Sequence, residues 1–364
     1  MKLGILGGGQ LARMLALAGH PLGISCVVLD PASDACSNVV ADQIVGGYAA
    51  ADALDKLAAR VDVVTYEFEN PPAESVARLA ERVPVYPSAD ALSVARDRLK
   101  EKALFRELGI GTPDFAAVDS LADLQAAVGR IGLPAVLKTR TLGYDGKGQF
   151  VLRAATDLAA VWQETHGVPC ILESFVSFQR EISALAVRAR DGEIAFYAVT
   201  ENTHAGGILR LSVPRAGDAM QGQAECYARL LLEKLDYVGV LALELFDTGD
   251  GLLANEMAPR VHNSGHWTID GAVTSQFENH LRAVLGLPLG SCALRHPAVA
   301  MVNFIGDMPC IGDVLALEGA HLHVYGKSGR AGRKVGHATI CGESEATIAK
   351  GLARLRELAA DSDR

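Results

Sequence analysis

The 364 residues of the chain are too many for one compact core and predict two or three globular domains, because soluble domains average roughly 150 residues. A hydrophobic content of 49% provides for well-filled cores, and the formal net charge of -9 argues against a nucleic-acid partner. The seven cysteines are scattered without a C-x-x-C pair, and no apolar run suits a membrane span or a signal peptide, so we expect reduced core thiols in a cytoplasmic protein.

The chain begins with a glycine motif that has more than one interpretation. Residues 7–12, GGGQLA, follow a predicted strand and match the G-x-G-x-x-G/A fingerprint of dinucleotide-binding folds, with Asp30 ending the next predicted strand. Strands and helices alternate over residues 1–95, which predicts a parallel sheet covered by helices. Because this pattern stops after about one mononucleotide half, a structural turn or the wall of another ligand's pocket is favoured over an NAD site.

The pattern changes after this first unit. One long helix is predicted over ADALSVARDRLKEKALFRELG, ending at Gly109, and the following segment is rich in strands, among them PAVLKT, REISALAVRA and EIAFYAVTEN. From about residue 290, three short predicted strands and a helix close the chain. We therefore expect an α/β domain over residues 1–95, an α+β domain over 96–290 and a small domain over 291–364.

A glycine-rich loop follows the strand PAVLKT. Lys138 lies on this strand, and glycines at 143, 146 and 148 surround Lys147 before the next strand. Such a loop can lay backbone N–H groups against a polyphosphate while Lys138 reaches the inner phosphates. The alternative is an ordinary hairpin with an edge lysine.

A carboxylate pair of the same region suits a nucleoside. Glu173 ends a predicted strand, and Glu181 begins the next one. A hinge at this point can bond adenine through its backbone and touch the ribose with a carboxylate. Two solvated strand-end carboxylates are the alternative.

A predicted hairpin carries the strongest chemical signal. Glu244 and Glu256 lie on apolar strands that flank the turn TGDG, so the two carboxylates can face one another across the pair. They would repel without a cation between them, and a small number of oxygen ligands beside a phosphate-binding loop points to Mg²⁺. The next polar residues along the chain, Arg260, His262 and Asn263, can bind a small anion. The alternative is an ordinary polar surface loop without a function.

These residues resemble the ATP-grasp superfamily. Within it, the motifs GILGGGQLARM, TYEFEN, GYDGKGQ, NEMAPRVHNSGHWT, MVNFIG and HVYGKSGRAGRKVGH, spread over residues 3–337, are similar to the N5-carboxyaminoimidazole ribonucleotide synthase family of purine biosynthesis. The resemblance implies an ATP-grasp fold with an N-terminal Rossmann-like pre-ATP-grasp domain, a flexible central lid over about 113–175 and a small C-terminal domain. It also implies ATP-dependent carboxylation of 5-aminoimidazole ribonucleotide with bicarbonate, through carboxyphosphate, as a step of purine (IMP) biosynthesis.

The resemblance further implies roles for particular residues. Mg²⁺ or Mn²⁺ would bind Glu244 and Glu256, and Arg260, His262 and Asn263 would be catalytic residues that hold bicarbonate or carboxyphosphate. The implied ATP-binding residues are Arg98, Lys138, Gly143, Tyr144, Asp145, Gly146, Lys147, Gly148, Gln149, Glu173, Ser174, Phe175, Val176, Glu181, His204, Asn255 and Glu256. The implied ribonucleotide-binding residues are Tyr144, Asp145, Lys147, Arg260, His262, Asn263, Lys327 and Arg333.

Some points stay open at this stage. Roles for Arg330 and Lys334 are undecided, no general base is identified, and Ala258 stands where related biotin carboxylases carry Asn, which leaves the third metal ligand open. The resemblance implies a homodimer formed through the N-terminal domain. The alternatives are a formate-dependent glycinamide ribonucleotide transformylase of the same superfamily and a non-catalytic nucleotide-binding protein, which the intact Glu244 and Glu256 disfavour.

Overall fold

Three β-sheets organise the chain in the computed structural model, which describes residues 1–143, 147–154 and 157–362. The strands are β1 (Lys2–Leu6), β2 (Ser25–Asp30), β3 (Asp42–Val45), β4 (Val63–Tyr66), β5 (Phe115–Val118), β6 (Ala135–Thr139), β7 (Gln149–Leu152), β8 (Cys170–Ser174), β9 (Arg180–Arg188), β10 (Ile194–Phe196), β11 (Thr200–Ala205), β12 (Ile208–Pro214), β13 (Gly239–Asp247), β14 (Leu252–Ala258), β15 (Ala298–Gly306), β16 (Ala320–Val324) and β17 (Arg330–Gly342).

Helices cover these sheets. They are α1 (Gln10–Gly19), α2 (Ala51–Ala58), α3 (Ala73–Ala80), α4 (Ala89–Arg96), α5 (Arg98–Glu107), α6 (Leu121–Ile131), α7 (Leu158–Glu164), α8 (Gln221–Lys234), α9 (Thr268–Gly271), α10 (Gln276–Leu285), α11 (Ile311–Leu315) and α12 (Glu345–Ser362), with 3-10 turns at His20–Leu22 and Asn263–Gly265. Among the described residues, none of the helices is long and apolar enough to span a bilayer.

The first sheet has the order β3-β2-β1-β4, and its strands are parallel, as the alternating pattern predicted. At its carboxyl edge the glycine turn is closed by carboxylates of the chain itself. Gly8 N–H donates to Asp30 Oδ2 at 2.8 Å, and Glu67 accepts from the N–H groups of Gly9 and Ala12. Because these carboxylates occupy the backbone donors that a pyrophosphate would use, the turn does not offer the anion site of an NAD-binding fold.

The second sheet, of order β5-β8-β6-β7, is antiparallel and carries α6 and α7. Its own core includes Leu124, Leu137 and Leu172. Lys138 pairs with Gln149 in the β6–β7 ladder, so this sheet presents the lysine beside the glycine-rich loop.

The third sheet runs through the central and C-terminal parts of the chain. Its order is β14-β13-β9-β11-β12-β15-β17-β16, with β10 added on β9. The step from β12 to β15 pairs Leu211 with Val302 and Ser212 with Met301, which carries the sheet across the domain boundary predicted between 290 and 291. Helices α8 and α10 pack on the central strands, and α12 packs on β15 and β17.

Three expectations about local structure and burial were wrong. The single helix predicted up to Gly109 is two helices, because Asp97 is extended and its side chain caps α5 by accepting from Leu99 N–H at 2.9 Å. The strand expected over EIAFYAVTEN divides into β10 and β11, since Val199 N–H donates to the side chain of Gln221 on α8 at 2.7 Å. Cys226 and Cys310 are exposed and do not belong to the core.

Candidate active site

A cavity of about 710 Å³ lies where the three sheets meet. Gln10 of α1, Lys138 of β6, Glu256 of β14 and Lys334 of β17 all line it. The cavity also gathers most of the residues singled out from the sequence, namely Arg98, Lys138, Gly143, Gln149, Glu173, Ser174, Phe175, Val176, Glu181, His204, Glu244, Asn255, Glu256, Arg260, His262 and Asn263.

Other predicted residues lie elsewhere. Tyr144, Asp145 and Gly146 are outside the described residues, and Lys147 and Gly148 are described but do not line the cavity. Lys327 donates to the side chain of Gln10, and so lies directly behind the cavity wall. Arg333 does not line the cavity and donates to the carbonyl oxygen of Ser328 at 3.2 Å, whereas its neighbour Lys334 does line it.

The predicted carboxylate pair faces across the β13–β14 ladder, where Glu244 is directly opposite Glu256. Arg98 Nη1 lies 2.5 Å from Glu256 Oε2, and His262 Nε2 lies 3.3 Å from Glu244 Oε1. Removal from bulk water and the charge of Glu256 raise the pKa of Glu244 to about 7. Removal from water also acts to raise the pKa of Glu256, but Arg98 outweighs it and lowers that pKa to about 2.

This donor set fits Mg²⁺. Two facing carboxylate groups supply hard oxygen ligands, and Mg²⁺ typically takes one or two protein carboxylates and completes its shell with water and substrate phosphates. Within the described residues there is no group of three or more His, Cys, Asp or Glu side chains able to hold a metal ion. The pair alone would leave most of a Mg²⁺ coordination shell to other ligands.

Lys138 is held by two side chains at the edge of the cavity. Its Nζ lies 2.9 Å from Glu173 Oε2 and 3.2 Å from Asn255 Oδ1. Glu173 also lies 3.5 Å from Lys102 Nζ; burial acts to raise the pKa of Glu173, but the two lysines outweigh it and the pKa is lowered. The expected contact of this carboxylate with a ribose stays a prediction: Glu173 is 2% exposed and binds two lysines, yet it lines the cavity.

An apolar wall adjoins the carboxylates. Phe178 and Phe246 stack with ring centroids 4.8 Å apart, and Phe175 and Val176 line the cavity beside them. Phe175 is 44% and Phe178 42% exposed, so their rings present apolar surface to the cavity. Neither Phe178 nor Phe246 was identified from the sequence, although both lie within five residues of a predicted site carboxylate.

The other end of the cavity holds the predicted anion-binding residues. Gln276 fixes the backbone of His262 on both sides, accepting from its N–H at 2.9 Å and donating to its carbonyl at 2.6 Å. Burial, followed by the charge of Arg260, lowers the pKa of His262 to about 3, so the ring is neutral. Its Nδ1 accepts from Ser264 N–H at 3.3 Å, which leaves the ring proton on Nε2, facing Glu244.

Two further features of this end bear on ligand binding. Arg260 forms an ion pair with Glu69, a cavity-lining residue of the N-terminal domain. Both polar atoms of the Asn263 side chain are buried without a hydrogen-bond partner. A buried amide that the protein leaves unsatisfied is expected to bind a ligand or water.

The N-terminal domain contributes to the cavity, in keeping with the prediction that its glycine turn could form the wall of a ligand's pocket. Gln10, Glu67 and Glu69 all line the cavity, although none of these three residues was singled out from the sequence. A signal was present in TYEFEN, because two carboxylates directly follow a buried parallel strand, and the carboxyl ends of such strands border ligand crevices.

Three family models match successive parts of the chain. They describe a ribonucleotide synthetase preATP-grasp domain over residues 1–96, an ATP-grasp domain over 103–277 and a phosphoribosylaminoimidazole carboxylase C-terminal domain over 299–351. An N5-carboxyaminoimidazole ribonucleotide synthase of Pseudomonas aeruginosa is 57% identical, with 98% of this chain and 99% of the relative aligned.

Solved structures agree with these matches. The N5-carboxyaminoimidazole ribonucleotide synthetase of Thermus thermophilus has a TM-score of 0.93 and 55% identity, with 98% of each chain covered. An N5-carboxyaminoimidazole synthase of Aspergillus clavatus, in complex with ADP and 5-aminoimidazole ribonucleotide, has a TM-score of 0.88 and 29% identity over 98% of each chain.

Proposed function

The chain belongs to the N5-carboxyaminoimidazole ribonucleotide synthase family of ATP-grasp ligases, and from this premise we propose that it carboxylates 5-aminoimidazole ribonucleotide in purine biosynthesis. The reaction consumes ATP and bicarbonate and releases ADP and phosphate. The observation that carries the proposal is the placement of Glu244 and Glu256 opposite one another in a cavity that also holds Arg260, His262 and Asn263.

We infer that ATP occupies the end of the cavity formed by the central domain. The apolar wall at Phe178 and Phe246 suits the adenine ring, and Glu181 with His204 lies beside it for the ribose. Lys138 and Arg98 supply positive charge for the phosphates. Glu244 and Glu256 would hold Mg²⁺, which when bound neutralises phosphate charge during transfer.

The residues at the other end suit the acceptor chemistry. Bicarbonate is a poor electrophile, so an oxygen of bicarbonate first attacks the γ-phosphorus and the bond to the β-phosphate oxygen breaks, giving carboxyphosphate and ADP. Carboxyphosphate then releases CO₂ and phosphate, and the exocyclic amine of the ribonucleotide adds to CO₂ with loss of a proton. Arg260 offers a planar bidentate donor for the anion, while neutral His262 and the unsatisfied amide of Asn263 orient it.

The test compares acceptors in an ATP-cleavage assay. We expect phosphate release to require 5-aminoimidazole ribonucleotide together with bicarbonate, and to be absent with glycinamide ribonucleotide and formate. Carboxylated ribonucleotide should form in equal amount to ADP. Stimulation by glycinamide ribonucleotide with formate alone would assign the chain to the transformylase reaction.

We further propose that the enzyme is a cytoplasmic homodimer formed through the N-terminal domain. The support is the family resemblance together with exposed apolar residues around the edge strand β3, where Val39 is 70% and Val45 59% exposed. Light scattering should give twice the chain mass, and Val39→Asp should lower it towards one chain mass. A monomer at micromolar concentration would contradict the proposal.

A further inference from the structure

We propose that Glu101 and Lys102 are positioning residues that hold a β-bulge in β14 and thereby aim Asn255 and Glu256 at the metal and nucleotide. The inference rests on the nucleotide and metal site proposed above. It concerns two charged residues of α5 that no step of the reaction uses.

The bulge is visible in the strand register. Glu244 pairs with Glu256, but the next residue, Leu245, pairs with Ala254, so Asn255 is an extra residue without an opposite partner. In a regular strand two successive side chains point to opposite faces. Because of the bulge, Asn255 and Glu256 both line the cavity, where they bind Lys138 and Arg98 respectively.

β14 is the edge strand of its sheet, so its outward-facing backbone groups have no neighbouring strand and need other partners. Helix α5 supplies them on both sides of the bulge. Lys102 Nζ donates to the carbonyl oxygen of Ala254 at 3.0 Å, and Glu101 Oε1 accepts from Met257 N–H at 2.6 Å. The two contacts bracket Asn255 and Glu256. Thr112 Oγ1 adds a weaker bond to the Ala254 carbonyl at 3.3 Å.

Glu101 and Lys102 lie on the same face of α5 as Arg98, which is proposed to bind phosphate. Arg98, Glu101 and Lys102 have the i, i+3, i+4 spacing that places side chains on one face of a helix. Glu101 is 1% and Lys102 0% exposed, and burying two charges is costly, so stability alone does not account for them. Together the three residues fix the backbone and the carboxylate of the same strand segment.

Nucleotide binding gives a readout that needs no carboxylation. We would measure the affinity for ADP by calorimetry, once with Mg²⁺ and once in EDTA. The ratio of the affinity with Mg²⁺ to the affinity in EDTA is the metal-dependent gain. We expect Glu101→Leu and Lys102→Met to reduce that gain about 10-fold, as losses of groups behind metal ligands do. Metal-free ADP affinity should change less than about twofold in Glu101→Leu, whereas Lys102→Met also removes the pair with Glu173 and can lower it further. Glu101→Gln should keep the gain, because its amide oxygen still accepts from Met257 N–H.

Leu104→Ala is the matched control, since Leu104 lies on the same helix and faces the core. It should lower the melting temperature and leave the metal-dependent gain unchanged. If Lys102→Met and Glu101→Leu fail to fold, Thr112→Val removes the mildest support and should still reduce the gain about twofold.

A full gain in Glu101→Leu, or in Thr112→Val where the stronger variants do not fold, would overturn the proposal, as would an equal loss in Leu104→Ala. If the wild-type protein bound MgADP but did not carboxylate the ribonucleotide, the proposed function would fail while this inference stood.

Discussion

The two ends of the cavity are stabilised by different kinds of contact. At the proposed nucleotide end, the ion pairs Arg98–Glu256 and Lys138–Glu173 join residues of the central domain to one another. At the other end, proposed for the acceptor, Arg260 pairs with Glu69 and Lys327 bonds Gln10, so the contacts join different domains. The nucleotide end is therefore preorganised by one domain's own fold, whereas the acceptor end depends on how three domains meet. Substitutions at the two ends should separate nucleotide binding from use of the ribonucleotide.

The largest effect is expected at the nucleotide end. Glu256→Gln removes a carboxylate proposed to bind Mg²⁺ and the charge that balances buried Arg98, so turnover at saturating Mg²⁺ should fall on the order of 10³-fold. Circular dichroism should show a folded protein. Glu107→Gln, which breaks an exposed pair with Lys234, is the control and should turn over normally. Unchanged turnover in Glu256→Gln would remove Glu256 from the metal site.

The second-largest effect is expected at the proposed acceptor end of the cavity. Arg260→Lys keeps the charge but loses the planar bidentate donor, so ribonucleotide-dependent ATP cleavage and carboxylation should fall together about 10²-fold. ATP affinity, measured by calorimetry, should stay near normal, because the contacts that hold Lys138 and Arg98 do not involve Arg260. Lost ATP affinity with normal turnover at saturating ATP would place Arg260 in the nucleotide site instead.

A smaller effect is expected at the contact between the N-terminal and C-terminal domains. Lys327→Met removes the bond to Gln10 and should raise the KM for the ribonucleotide about 10-fold while kcat and the KM for ATP change little. Lys350→Met, an exposed substitution in the same C-terminal domain, should leave all three constants unchanged. Equal increases in both KM values would mean that the two ends are not separable.

The smallest effect is a pH dependence at the nucleotide end. Burial lowers the pKa of His204, but Glu181 at 3.0 Å outweighs it and raises the pKa above its usual value. The charged ring therefore stabilises the fold fully below about pH 6.5, and this stabilisation is lost as the pH rises through the raised pKa. Without nucleotide, the melting-temperature advantage of wild type over His204→Gln should shrink by about 1 °C between pH 6 and pH 9. A constant difference would contradict this assignment.

Much of the fold was readable from the sequence, and the misses have local physical causes. The parallel first sheet and the facing carboxylates followed from strand patterns that the structure confirms. The break at Asp97 was missed because its helix cap interrupts a charge-rich run that looks helical throughout. The helical periodicity of apolar residues alone does not reveal an N-cap residue inside such a run.

Only part of the candidate site could be predicted from the sequence. Motifs identify individual side chains, but they do not show which side chains the fold brings together. Glu101 and Lys102 in RLKEK resemble a solvated charge run, and only the spacing they share with fully buried Phe105 indicates that they face inward. The bulge at Asn255 adds one residue to a strand, which no alternation pattern shows. Glu69 and Lys334 reach the cavity through the meeting of domains, a property of tertiary structure alone.

The pairing of β12 with β15 has a mechanical consequence. Because one hydrogen-bonded sheet runs from the hairpin of β13 and β14 to the last strand of the chain, the C-terminal part cannot detach without exposing the open edge of β12. The central and C-terminal parts should therefore melt in a single calorimetric transition, and protease nicking between α10 and β15 should leave the two fragments associated. A version of the chain that stopped before β15 would present an unprotected strand to other molecules and should precipitate, even though the proposed nucleotide end lies entirely upstream of the cut.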